Sequence, residues 1–171
     1  MINFNNIIKD IEDTKIFIEN LCQIIELNDV IILNGKIGSG KTTLARHIIN
    51  RILQIDISEI VSPTFNLYQV YENNNQKIHH YDFYRIENDI DLHEIDLAES
   101  FDEGITIIEW ADKYKNYLPD SYLEIEISEI DEGRVYKLRG CGTFKDRINK
   151  HNSLVHFLSN YKKPINKVEK I

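Results

Sequence analysis

Nine consecutive residues, Gly35-Lys36-Ile37-Gly38-Ser39-Gly40-Lys41-Thr42-Thr43, restrict this chain more than any other stretch. Before them runs Asp29-Val30-Ile31-Ile32-Leu33-Asn34, short, apolar and rich in β-branched residues. After them runs Leu44 to Leu53, with apolar residues at helical spacing. The order strand, glycine loop, helix is what phosphate binding requires. Glycines let the backbone turn tightly and aim N–H groups at phosphate oxygens, and the helix N-terminus adds partial positive charge. In such a loop Gly35, Gly38, Ser39, Gly40, Lys41, Thr42 and Thr43 face the nucleotide. Lys41 reaches the β- and γ-phosphates and the Thr42 hydroxyl takes one place in an octahedral Mg²⁺ shell. A nucleoside triphosphate and Mg²⁺ are therefore the expected ligands. At average composition the bare motif arises by chance in on the order of one in two hundred chains of this length, and the flanking strand and helix patterns lower that further.

A chain of 171 residues suits one domain with a full core, and 42% apolar with 28% charged residues is the balance of a soluble globular protein. Cys22 and Cys141 are too few for a disulfide framework or a metal cluster, so each is expected to be a buried thiol in a reducing compartment. The first residues show no basic segment followed by an apolar core. No run approaches the ~20 apolar residues of a membrane span, so a cytoplasmic location is expected. A formal charge of −8 argues against a direct grip on nucleic acid, whose affinity comes largely from Lys and Arg. Any nucleic-acid role would be indirect.

Periodicity predicts an α/β fold of the P-loop NTPase-like, three-layer type, its sheet mixed and mostly parallel with an antiparallel hairpin. Residues 13–27 read as a helix capped by Asp13 or Thr14. Residues 65–71 and 77–82 read as a hairpin with a polar tip at 72–76, and residues 89–100 as a short helix. Gly104 to Glu109 is a buried strand ending in a carboxylate. Tyr122 to Ile127 and Arg134 to Leu138 are strands joined by a turn at Asp131-Glu132-Gly133. Residues 1–140 are expected to form the P-loop ATPase domain. Residues 141–171 are a C-terminal extension, helical over 144–161 and packed on the same domain.

Four further clusters follow the loop: Ser62-Pro63-Thr64-Phe65, His80-Tyr81-Asp82-Phe83-Tyr84-Arg85, Ile107-Ile108-Glu109-Trp110 and Gly133-Arg134. In order and spacing they resemble the TsaE (YjeE) family, small ATPases of the bacterial machinery that makes threonylcarbamoyladenosine in tRNA, over roughly residues 14–140. Glu109 ends a buried run where a P-loop protein needs a carboxylate for Mg²⁺, and the resemblance makes it a magnesium ligand together with Thr42. Asp82 could orient the attacking water, accept its proton or cap a turn. The resemblance makes it a residue needed for activity, so Asp82, Lys41 and Glu109 form the candidate catalytic set. Thr64 resembles a switch-loop threonine that senses the γ-phosphate; alternatively Ser62 and Thr64 shape a proline turn.

His79 and His80, adjacent on a strand, point to opposite faces and cannot jointly hold a metal. His80 is read as structural or near the nucleotide. Arg85 is either a phosphate-charge stabiliser or a salt-bridge partner, and Trp110 packs, meets a partner or touches nucleotide. The chain departs from the family pattern at Lys36-Ile37, where an acidic residue and Leu are usual, and at Asp96, where glycine is usual. The resemblance implies partners: the threonylcarbamoyl transferase subunit and its non-catalytic paralogue, with tRNA met through them. The competing enzymatic reading is a small P-loop kinase acting on a nucleoside or metabolite. A GTPase reading rests only on Asn166-Lys167-Val168-Glu169, a loose match to a guanine-reading motif.

Overall fold

The computed structural model describes residues 2–87, 92, 95 and 97–151, with residues 2–6 as backbone. Its organising element is β2, Val30–Gly35, whose apolar run has no wet face because layers cover both sides. Parallel neighbours flank it, β5 (Ile105–Glu109) on one side and β6 (Leu123–Ile130) on the other. Beyond β5 lie the parallel β4 (Gln76–Asp82) and the antiparallel β3 (Tyr68–Asn73). Beyond β6 lie β7 (Gly133–Gly140) and β1 (Ile2–Ile8), each antiparallel to its neighbour. The order β1-β7-β6-β2-β5-β4-β3 thus has five strands running one way and two, β7 and β3, the other. The sheet is mixed and mostly parallel, as the periodicity predicts.

Alternation along β2 sends Ile31 and Leu33 to one face and Val30 and Ile32 to the other. The first face is covered by α1 (Ile11–Cys22), α2 (Lys41–Leu53) and α4 (Thr143–Lys150), through Phe17, Leu21, Leu44, Ile48, Phe144 and Ile148. The second is covered by α3 (Leu97–Glu103) and by 3₁₀ turns at Phe83–Arg85 and Ala111–Tyr117, through Leu97, Phe83 and Tyr114. Arg147 of α4 holds the loop ahead of β2, donating to both carboxylate oxygens of Asp29 at 2.6 and 2.7 Å and to the Ile24 carbonyl at 2.9 Å.

Several boundaries differ from the sequence reading. Helix α1 starts earlier than residue 13, because Asp10 is the cap. Asp10 is extended at φ −146° and its Oδ1 accepts the Asp13 N–H at 2.9 Å, while Asp13 turns back to accept the Lys9 N–H at 2.9 Å. The helix ends at Cys22, so Ile24 enters the core from a loop. The hairpin tip is only Asn74-Asn75, at φ 51° and 62°, the positive values a two-residue turn between twisted strands demands. Its first strand begins at Tyr68, because residues 63–66 form a turn closed by Asn66 N–H to the Pro63 carbonyl at 3.0 Å. Strand β1 was not foreseen. Both thiols are partly covered rather than buried. Helix α4 ends at Lys150, where His151 turns extended, short of the end expected at 161. Asp96 with half of the helix expected at 89–100, residues 152–161 and Asn166 to Glu169 lie outside the described residues.

Candidate nucleotide site

The loop at the carboxyl end of β2 owes its shape to glycine. Gly35 sits at φ 149°, and a Cβ there would run into the Ile127 carbonyl oxygen; Gly38 and Gly40 lie at φ 80° and 100°. Those left-handed values favour glycine. Gly40 opens α2 with no side-chain cap, so the first N–H groups of the helix are free to meet an anion. Ser39 is 1% exposed and its Oγ has no partner among the described residues, an orphaned polar atom of the kind a bound oxyanion would satisfy.

Lys41, the first residue of α2, folds back over the loop. Its Nζ donates to the carbonyls of Gly35 and Lys36, each at 2.9 Å, and lies 3.7 Å from the centre of the Trp110 ring. Burial lowers the affinity of this amine for its proton, an effect opposed by the carboxylates of Glu109 and Asp82. Across the loop the Thr42 hydroxyl donates to Glu109 Oε2 at 2.9 Å. The other oxygen, Oε1, lies 3.0 Å from His80 Nε2. Strand pairing sets Asp82 opposite Glu109. Asp82, 3% exposed, accepts the Thr64 hydroxyl on Oδ2 at 2.6 Å and the Tyr84 N–H on Oδ1 at 3.0 Å, and Ser62 Oγ lies 2.8 Å from Thr64 Oγ1. Thus Lys41, Thr42, Thr64, Asp82 and Glu109 line one cleft of about 360 Å³, closed on a further side by Trp110 and Tyr84. A smaller cleft of about 190 Å³ adjoins it at Gly40 and Thr43, walled by Thr14, Arg134 and Tyr136.

The two histidines separate as their adjacency requires. His80 turns to Glu109, whereas His79 turns to Glu103, 3.9 Å away. Arg85 does not line the cleft; its guanidinium stacks 4.4 Å from the Phe65 ring. Tyr84, Ile37 and the Arg134 side chain at the Gly40 edge are site neighbours that the motifs did not assign a role. A polar network behind the loop was also unforeseen. Asn34 donates to Glu124 and Asp112, each at 2.9 Å, and Lys115 and Arg139 donate to Glu124 at 2.8 and 3.1 Å. Burial alone would raise the Glu124 pKa, but Lys115, Asn34 and Arg139 outweigh it and hold the carboxyl below its ordinary value. The partners lie up to 90 residues apart, beyond the reach of any local pattern.

The donor set suits magnesium. One hydroxyl and one carboxylate converge at the loop, both hard oxygens, and Mg²⁺ normally takes its remaining ligands from phosphate and water. Among the described residues no three His, Cys, Asp or Glu side chains converge as a cage.

A strand that opens through a glycine loop into a helix, beside a parallel strand ending in a buried carboxylate, defines a P-loop protein. The solved structure of YdiB, a Bacillus protein, agrees in fold: the TM-score is 0.60 at 24% identity, over 95% of this chain and 96% of that one. Residues 8–136 match the family model described as "Threonylcarbamoyl adenosine biosynthesis protein TsaE". Proteins named "tRNA threonylcarbamoyladenosine biosynthesis protein TsaE" are 33% identical in Rickettsia felis, over 89% of this chain and 85% of that protein, and 33% identical in Aquifex aeolicus, over 75% and 91%. The chain belongs to the TsaE family.

Proposed function

We propose that this protein is a Mg²⁺-dependent ATPase that supports formation of threonylcarbamoyladenosine in tRNA by a partner transferase complex. The observation that carries the reading is the Thr42–Glu109 bond of 2.9 Å, which brings a loop hydroxyl and a strand-end carboxylate together in the cleft that Lys41 also lines. In this reading the backbone N–H groups of residues 38–43 and Ser39 Oγ take phosphate oxygens. Lys41 exchanges two loop carbonyls for β- and γ-phosphate. Thr42 and Glu109 would hold magnesium, which would supply charge neutralisation to the phosphates. The adjoining cleft at Thr14, Arg134 and Tyr136 takes the sugar and base. Asp82 holds the attacking water or its proton once Thr64 turns from its carboxylate toward the γ-phosphate.

The partner role draws support from the rim. Phe65 is 79%, Ile37 72% and Tyr84 51% exposed, an apolar border beside the segment that would sense the nucleotide. With a net charge of −8 the protein itself is poorly suited to hold tRNA. The test counts modified tRNA per transferase complex with and without this protein and ATP. A rise to many rounds is expected, with Asp82→Asn lowering it about 10²-fold while ATP affinity changes far less. An unchanged count, or phosphate transfer from ATP to a nucleoside by the isolated protein, would overturn the reading in favour of a kinase.

A further inference from the structure

We infer that His80 is a positioning residue for Glu109, fixing the carboxylate in the orientation that presents one oxygen to magnesium. The inference rests on the Mg²⁺–ATP reading and adds to it a residue outside the cleft. His80 pairs with Ile107 in the β4/β5 register, two residues before Glu109, so both side chains leave the sheet on the α2 face. They are 0% and 1% exposed and meet at 3.0 Å, Nε2 to Oε1. A carboxylate offers only acceptors, so the hydrogen of this contact sits on Nε2. His80 Nδ1 is buried with no partner among the described residues; the ring spends its one hydrogen bond on Glu109.

The consequence concerns the outer torsion of the glutamate. Rotation about its last bond is broad and weakly restrained, so a lone buried glutamate does not choose a carboxylate plane for itself. Here His80 holds Oε1 from behind, and Oε2 is left to Thr42 at 2.9 Å, on the loop side. A histidine that merely filled core space would have no reason to divide the two oxygens in this way. Groups behind a metal ligand that set its direction commonly change metal affinity by about 10–100-fold when removed.

The experiment compares wild type, His80→Phe, which keeps a ring and loses the donor, and His80→Gln, which keeps an N–H donor. Each is titrated with an ATP analogue bearing a non-hydrolysable β–γ bridge, in Mg²⁺ and in EDTA. His80→Phe is expected to lose about tenfold of the affinity gained on adding Mg²⁺, with the affinity in EDTA unchanged within about twofold, and His80→Gln to recover most of the gain. A His80→Phe protein with the full magnesium gain overturns the inference. So does equal weakening in both buffers without recovery in His80→Gln, the pattern of a purely structural residue. A wild type with no magnesium gain overturns the underlying metal reading instead. Should His80→Phe not fold, ¹⁵N-histidine spectra of the wild type decide, with the His80 resonance assigned by its loss in His80→Gln. Hydrogen on Nε2 supports the inference, and hydrogen on Nδ1 overturns it.

Discussion

Lys41 shows how a single charge is kept ready in a loop built for anions. Its ammonium rests on two carbonyls and an aromatic face, contacts that a triphosphate can replace without bringing a naked charge out of water. Lys41→Ala is therefore expected to weaken ATP by about 10–100-fold, the worth of a hydrogen bond to a charged group, and ADP by less. Calorimetry with both nucleotides measures the difference. Cys22 carries a different expectation. Burial pushes its thiol from an ordinary 9.0 up to about 12, with Arg51 opposing. The folded state thus favours the protonated thiol, and that contribution is complete below pH 9 and lost as pH climbs toward 12. By pH 10 the loss is on the order of 1 kcal/mol, so the stability drop between pH 8 and pH 10 should be smaller in Cys22→Ala than in wild type. Denaturant melts at the two pH values make the comparison.

Elements differ in how openly the sequence declares them. The phosphate loop was legible because its requirements fall on nine adjacent residues and glycine meets three of the positive φ values. Buried β2 and β5 were legible as unbroken apolar runs. Strand β1 was not. Ile2-Asn3-Phe4-Asn5-Asn6-Ile7-Ile8 breaks alternation at its centre, and its one strand partner among the described residues is β7, with Ile2 opposite Gly140. Only tertiary pairing makes it a strand. In the site, motif order pointed to Thr42, Glu109 and Asp82, whereas the Glu109–His80 contact needed the β4/β5 register to be seen. The start of α1 was misplaced because Asp10 and Asp13 both suit a cap and local sequence does not say which accepts which N–H. Removing the real cap in Asp10→Ala should cost about 1 kcal/mol, a thermal midpoint lower by roughly 2–4 °C, and should shorten the protected part of α1 in hydrogen exchange.

At the scale of the whole molecule the last described helix, α4, is tied to the strand that carries the loop. The Arg147–Asp29 pair has side chains only 16% and 10% exposed, and removing one member leaves the other charge buried. Arg147→Ala is expected to destabilise by about 3 kcal/mol, lowering the midpoint by roughly 10 °C; differential scanning calorimetry reads it directly. The sheet's edge has a consequence for synthesis. Strand β1 is made before every other described strand and β7 after all of them, yet they pair with each other, and β7 also covers β6. A chain ending ahead of Gly133 therefore leaves an open row of β6 backbone donors and acceptors, an invitation to pair with other chains that ends only when β7 is free to take its place.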